Sequence, residues 1–251
     1  MGVFEGRGSE FDVASSMRDS KFDRRLLAGE IAEMGGLAER LVMESVTALT
    51  RFDPHRARAV IEDDKRVDAM QREVENHVVA LIATHQPSGK ALREMVAGLR
   101  VSADLERVGD LAKNNAKRVL AIDGNTIPQR VALGVEHMSD IALEQLKAVL
   151  DAFIRQDLSV ALDVRSRDDE IDAIYTSIFR ELLTYMMENP RNITFCTHLL
   201  FCAKNIERIG DHATNIAESV HYVVTGEQPT EARAKSDTTA YLPNDFADDE
   251  N

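Results

Sequence analysis

The sequence predicts an all-α fold made of two tandem, pseudo-symmetric three-helix bundles. Three observations carry that expectation. Apolar residues recur at helical spacing between proline-marked breaks, no alternating strand pattern of useful length appears, and the second half repeats the first. The breaks lie at Phe52–Asp53–Pro54, at Gln86–Pro87–Ser88–Gly89, at Asp123–Gly124 ahead of Pro128, at Gln156–Asp157 and at Asn189–Pro190. They delimit six helices near 20–52, 54–85, 89–122, 129–155, 157–188 and 191–225, with Asp157 placed to cap the fifth. Rods of about 30 residues are about 45 Å long, which suits a bundle with short connections.

The repeat is explicit. Leu105–Glu106–Arg107–Val108–Gly109–Asp110 matches Ile206–Glu207–Arg208–Ile209–Gly210–Asp211 at an offset of 101, and Asn114 and Ala116 match Asn215 and Ala217. Upstream, Asp53, Ala57, Val60, Asp64 and Asp68 match Asp157, Ala161, Val164, Asp168 and Asp172 at an offset of 104. The change in offset falls in the loop around Pro87 and Pro190, where an insertion costs little. One three-helix unit is therefore expected over 21–125 and a second over 126–226. The Gly- and Ser-rich residues 1–20 and the polar, acidic residues 227–251 are expected to be flexible tails.

Composition narrows the function. The chain has 251 residues, enough for a substantial core, with 44% hydrophobic and 29% charged residues and a formal net charge of −13. That acidic excess argues against nucleic acid, whose phosphates are bound by Lys and Arg. The longest apolar run, Leu199 to Ala203, is far short of a membrane span. No basic stretch followed by an apolar segment marks a secretory signal near the start. Cys196 and Cys202 lack metal or redox spacing and read as buried thiols of a reducing compartment. The expected location is the cytoplasm.

Four acid pairs stand at i, i+4: Asp64/Asp68, Glu106/Asp110, Asp168/Asp172 and Glu207/Asp211. On a helix this spacing puts both carboxylates on one face, about 40° apart, at a repulsion of roughly 0.2–0.5 kcal/mol. Such pairs are common on wet surfaces. Here, however, they interrupt packing stripes. One walk reads Leu92, Val96, Leu99 and Ala103 before Glu106 and Asp110; its counterpart reads Ile193, Cys196 and Leu200 before Glu207 and Asp211. Carboxylates at the edge of a core need a cation, either arginine or a metal. Arg107 and Arg208 directly follow the glutamates, so their side chains turn about 100° away. This favours a metal held by four carboxylates per unit, two from each of two neighbouring helices. Oxygen-only donors suit Mg²⁺, Mn²⁺ or Ca²⁺, and carboxylate-bridged iron is compatible. A solvated groove for a basic partner helix is the competing reading.

No phosphate loop, HExxH or nucleophile motif is present. Glu218/His221 has the spacing of a ferritin-like di-iron site, but the first half has no Glu-x-x-His to complete it. His198 and His212 read as partly buried structural residues. Gly109 and Gly210 sit mid-helix at a cost of about 1 kcal/mol each against Ala, and close helix approach beside the acids explains them.

The segments Asp104–Asp110 and Asn205–Glu218, with the six-helix duplication, resemble the PhoU family over about residues 20–226. The resemblance implies two pseudo-symmetric bundles with metals on E(D)xxxD motifs. The ligands would then be Asp64, Asp68, Glu106 and Asp110 in one unit, and Asp168, Asp172, Glu207 and Asp211 in the other. It further implies a non-enzymatic negative regulator of phosphate uptake and of the phosphate-starvation response. Such a regulator acts at the cytoplasmic face of the phosphate ABC transporter and on a phosphate-sensing histidine kinase. Asp104 stands where the second copy has Asn205, a difference expected to distinguish the two sites. Long bundles with exposed apolar edges often pair, so a homodimer is expected, without membrane insertion. A carboxylate di-iron oxidase and an accessory of a non-ABC phosphate carrier are the alternatives.

Overall fold

The computed structural model describes residues 9–122 and 127–229, with side chains from residue 24 onward. Its elements are α1 (Ser9–Arg51), α2 (Pro54–His85), α3 (Gly89–Ala121), α4 (Gln129–Arg155), α5 (Leu158–Ser166), α6 (Asp168–Glu188), a 3₁₀ turn (Pro190–Asn192) and α7 (Ile193–Thr225). Among the described residues there is no strand. The helix boundaries have local causes. The Asp53 carboxylate accepts from the backbone N–H groups of His55 and Arg56, both at 3.0 Å, with Pro54 at the first helical position. Asp157 repeats the cap on α5 through Ser159 at 3.0 Å and Val160 at 3.3 Å. Gln86 and Gln156, in left-handed conformation at φ 47° and 57°, stop α2 and α4.

Helices α1, α2 and α3 pack on one another as the first unit; α4, the α5–α6 rod and α7 form the second. The units are joined along α3 and α7 and along α1 and α4, and one continuous apolar core runs through both. Helix α3 runs antiparallel to α7. Contacts along the seam pair Arg93 with the Val223 carbonyl (3.5 Å), Asp104 with Asn215 (3.1 Å), Asn115 with Asn205 (2.8 Å) and Arg118 with His198 (3.4 Å). At one end Phe52 stacks on Phe195 with ring centroids 6.2 Å apart.

Three sequence expectations change. Helix α1 begins at Ser9, ahead of the start expected near residue 20. Residues 1–8 and 230–251, the remainder of the two expected tails, lie outside the described residues.

The helix expected over 157–188 is two helices, α5 and α6, separated at Arg167 with φ −99° and ψ 12°. The cause is distant in sequence. Gln145 of α4, fully buried, donates its amide to the Arg167 carbonyl at 3.1 Å. The first copy has buried Leu41 at the equivalent position, 104 residues earlier, and its α2 is unbroken. The Arg167 guanidinium is held outside the break by Glu170 and Glu144.

The third change concerns Asp104 and Asn205. Both face the seam between units rather than the acid pairs. The Asp104 carboxylate meets His212 Nδ1 at 2.9 Å and accepts from Asn215, while Asn205 donates to Asn115. His198 and His212 are partly buried, as the sequence suggested, and both lie in this seam.

Because one core serves both units, they unfold together. Leu105→Ala, at a fully buried position of α3, lowers the stability of the whole chain by about 2–5 kcal/mol. A urea titration followed by circular dichroism shows a single transition for both proteins; two separated transitions would show independent units.

Candidate functional site

The acid pairs converge as the repeat requires. In the first unit, Asp64 and Asp68 of α2 face Glu106 and Asp110 of α3. Asp64 is 2% exposed, whereas Asp68, Glu106 and Asp110 are half-buried. In the second unit, Asp168, Asp172 and Glu207 are 8%, 7% and 7% exposed, and Asp211 is half-buried. The walk expected to be a packing stripe on α3 lies along its rim, since Leu92 and Ala103 are exposed. There Glu106 and Asp110 flank the buried stripe of Val101, Leu105, Val108 and Ala112.

Electrostatics tie each group together. Burial pushes the Glu106 carboxyl above the ordinary carboxylate range, and Asp110, Asp68 and Asp64 push it further against the opposing pull of Arg107. Burial likewise raises Asp64, opposed by Lys113. In the second unit burial raises Glu207, with Asp211 and Asp172 adding to it and Lys204 opposing. Four carboxylates in one seam repel one another and are poorly solvated, so each group favours a positive partner.

The two copies find that partner differently. In the first, Lys113 of α3 reaches across the seam. Its Nζ donates to Asp64 Oδ2 at 2.6 Å and also bonds Asp110 Oδ1, joining both helices. Burial alone would lower the Lys113 pKa, but the bonds to Asp110 and Asp64 outweigh it and hold the ammonium firmly charged. The residue equivalent to Lys113 in the second copy is Thr214, whose hydroxyl donates to Asp168 Oδ1 at 2.9 Å. A lysine does stand there, Lys204, with Nζ 2.9 Å from Glu207 Oε1 and 4.8 Å from the centre of the Tyr175 ring. The other oxygen, Glu207 Oε2, is buried with no hydrogen-bond partner.

Lys113 was not among the expected cations, although two signals point to it. It stands three residues after Asp110, within reach on a helix face, and it breaks the repeat against Thr214.

The glycines have the expected role. A Cβ on Gly109 would lie 3.1 Å from Asp64 Oδ1 and 3.3 Å from Val67 Cγ1; on Gly210 it would lie 2.5 Å from Ile171 Cδ1. Val67 and Ile171 are repeat equivalents, so both seams close tightly at the same place beside the acids.

As hosts for a metal, the two groups differ. Each supplies hard oxygen donors and one buried oxygen without a hydrogen-bond partner, Asp64 Oδ1 in the first and Glu207 Oε2 in the second, which suits a hard cation. The first already holds an ammonium between Asp64 and Asp110, and it does not fit a metal while Lys113 is there. Among the described residues, no three His, Cys, Asp or Glu side chains are drawn into a metal-ligating group. The fit of the second group is therefore one of donor chemistry.

The PhoU domain matches residues 31–119 and 135–220, one match on each structural repeat. The chain belongs to the PhoU family. It is 56% identical over 225 residues to a phosphate-specific transport system accessory protein PhoU homolog of Rhizobium meliloti (strain 1021), covering 89% of this chain and 95% of that protein. A homolog of the same description from Caulobacter vibrioides is 48% identical, covering 84% and 92% respectively. The crystal structure of PhoU from Pseudomonas aeruginosa superposes with a TM-score of 0.76 at 34% identity, covering 85% of this chain and 99% of that one. That of the phosphate transport system regulatory protein PhoU from Streptococcus pneumoniae gives 0.78 at 26% identity. The two-bundle fold is thus shared with solved PhoU structures.

Two outcomes follow from the seam. Gly109→Ala presses on Asp64 and Val67, an overpacking cost of about 1–3 kcal/mol that the helix gain of about 1 kcal/mol from Ala only partly offsets, so the urea midpoint falls. Glu207→Gln acts in the opposite direction in chelator-treated protein. Because burial raises the Glu207 pKa, its contribution to stability is favourable in acid and is lost as the pH rises through that raised value. The glutamine variant therefore melts higher than the parent at neutral pH, and the gap closes below the ordinary carboxylate range. An equal gap at every pH would contradict this.

Proposed function

We propose that this PhoU-family chain is a non-enzymatic regulator of phosphate uptake and of phosphate-starvation signalling. It works as a helical adaptor at the cytoplasmic face of a phosphate ABC transporter and on a phosphate-sensing histidine kinase, restraining both. The observation that carries the reading is the match of the PhoU domain to both repeats, together with near full-length identity to phosphate-specific transport system accessory proteins. An adaptor needs no membrane helix, and among the described residues no helix is long and apolar enough to cross a membrane.

The non-enzymatic reading is supported by the histidines. A carboxylate di-iron oxidase needs imidazole beside its acids. Here His212 is engaged with Asp104 and His198 with Arg118, both in the seam between units.

Within this reading the second carboxylate group holds a divalent or trivalent metal ion on Asp168, Asp172, Glu207 and Asp211. Mg²⁺, Mn²⁺, Ca²⁺ and iron are the compatible ions. The cation supplies positive charge to a desolvated seam and so stiffens the α6–α7 contact. The working form is a homodimer.

Deletion of the gene should derepress phosphate-starvation genes in phosphate-rich medium, as measured by transcript levels. Unchanged transcripts there would refute the regulator. Removing metal with a chelator should lower the thermal midpoint of the full chain, and Mn²⁺ should restore it. An ion at a hundredfold excess over its Kd contributes about 2.7 kcal/mol.

A further inference from the structure

We propose that Lys113 is a built-in cation that takes the place of a metal ion in the first carboxylate group, so that metal binding by this chain is confined to the second. The inference rests on the metal reading given above and divides it between the two copies.

The geometry is specific to Lys113. Its ammonium donates to a carboxylate on each of two helices, Asp64 of α2 and Asp110 of α3, the bridging role an ion would fill. Asp64 is the most buried of the eight acids at 2% exposure, and the lysine itself is well covered, with its side chain 21% exposed. Placement on the helix favours the contact. Side chains lean toward the helix N-terminus, so a lysine three residues after Asp110 reaches back over it naturally. A metal entering this group would have to displace a paired, partly desolvated ammonium and leave that charge beside its own.

The second group is built otherwise. Thr214 replaces the lysine and contributes a neutral hydroxyl to Asp168. Lys204 comes three residues before Glu207, so its stem must reach forward against the lean of the side chains. Its side chain is also more exposed, at 37%. Its repeat equivalent in the first copy is Ala103, so the two lysines are independent features and not one feature repeated.

The test isolates the first group in the full chain by changing Asp172→Asn and Asp211→Asn together, and measures Mn²⁺ binding by calorimetry and by metal analysis after dialysis. With Lys113 intact this variant binds no Mn²⁺; binding there overturns the proposal directly. Adding Lys113→Thr, the residue of the other copy, creates Mn²⁺ binding and makes the thermal midpoint rise with added Mn²⁺. A folded Lys113→Thr protein that gains neither also overturns it. Should the threonine variant not fold, the lysine-intact arm still decides. The metal reading of the second group is judged separately, by the loss of Mn²⁺ between the unmodified chain and the double asparagine variant. If the unmodified chain binds none, that reading fails while the Lys113→Thr gain still tests the lysine.

Discussion

Negative charge inside a helix–helix seam is the constraint around which this molecule is arranged. Each copy buries carboxylates where two rods come close, and a desolvated carboxylate is costly until a positive or hydrogen-bonding partner reaches it. The tight approach is made by Gly109 and Gly210, which admit Val67 and Ile171 against the opposite backbone. Closeness keeps water out, and exclusion of water raises the carboxyl pKa values. It also makes a single ammonium or hydroxyl count for much more than it would on a surface. The glycines, the raised acids and the chosen counter-groups are therefore parts of one arrangement.

The duplication is a packing fact as much as a sequence one. Two free-standing three-helix units would each leave an apolar face exposed. Here α3 and α7 cover one another in antiparallel register, with α1 and α4 alongside, and the core is continuous. Polar residues define that register. Asp104, Asn115, Asn205, His212 and Asn215 pair only in one alignment, since a slip along the helices would leave buried amides and a carboxylate unmatched. Asn115 is fully buried, which gives its hydrogen bond to Asn205 particular weight.

Much of the fold could be read from sequence because its boundaries are set locally. Asp53 and Asp157 cap through their own side chains onto the next residues, and Pro54 and Pro190 mark helix starts, so proline and aspartate alone place the ends closely. The i, i+4 acids and the mid-helix glycines were legible because a repeat shows each twice. What escaped depends on contacts distant in sequence. The break at Arg167 is caused by Gln145 on another helix, and nothing in the run from Asp157 to Glu188 announces it. The place of Asp104 in the inter-unit seam depends on how the two copies meet, which periodicity within one helix does not encode. Lys113 was visible as a departure from the repeat, but its meaning needed the position of Asp64.

The break at Arg167 also bears on charge. Asp168 is the first residue of α6, so its carboxylate sits at the positive end of a peptide dipole. Asp64, its counterpart, lies in the middle of unbroken α2, where the dipole gives no such help. For this pair of acids, a helix start at Asp168 and an ammonium on Asp64 are two answers to the same electrostatic difficulty. Symmetry of backbone has been retained while symmetry of charge has been let go.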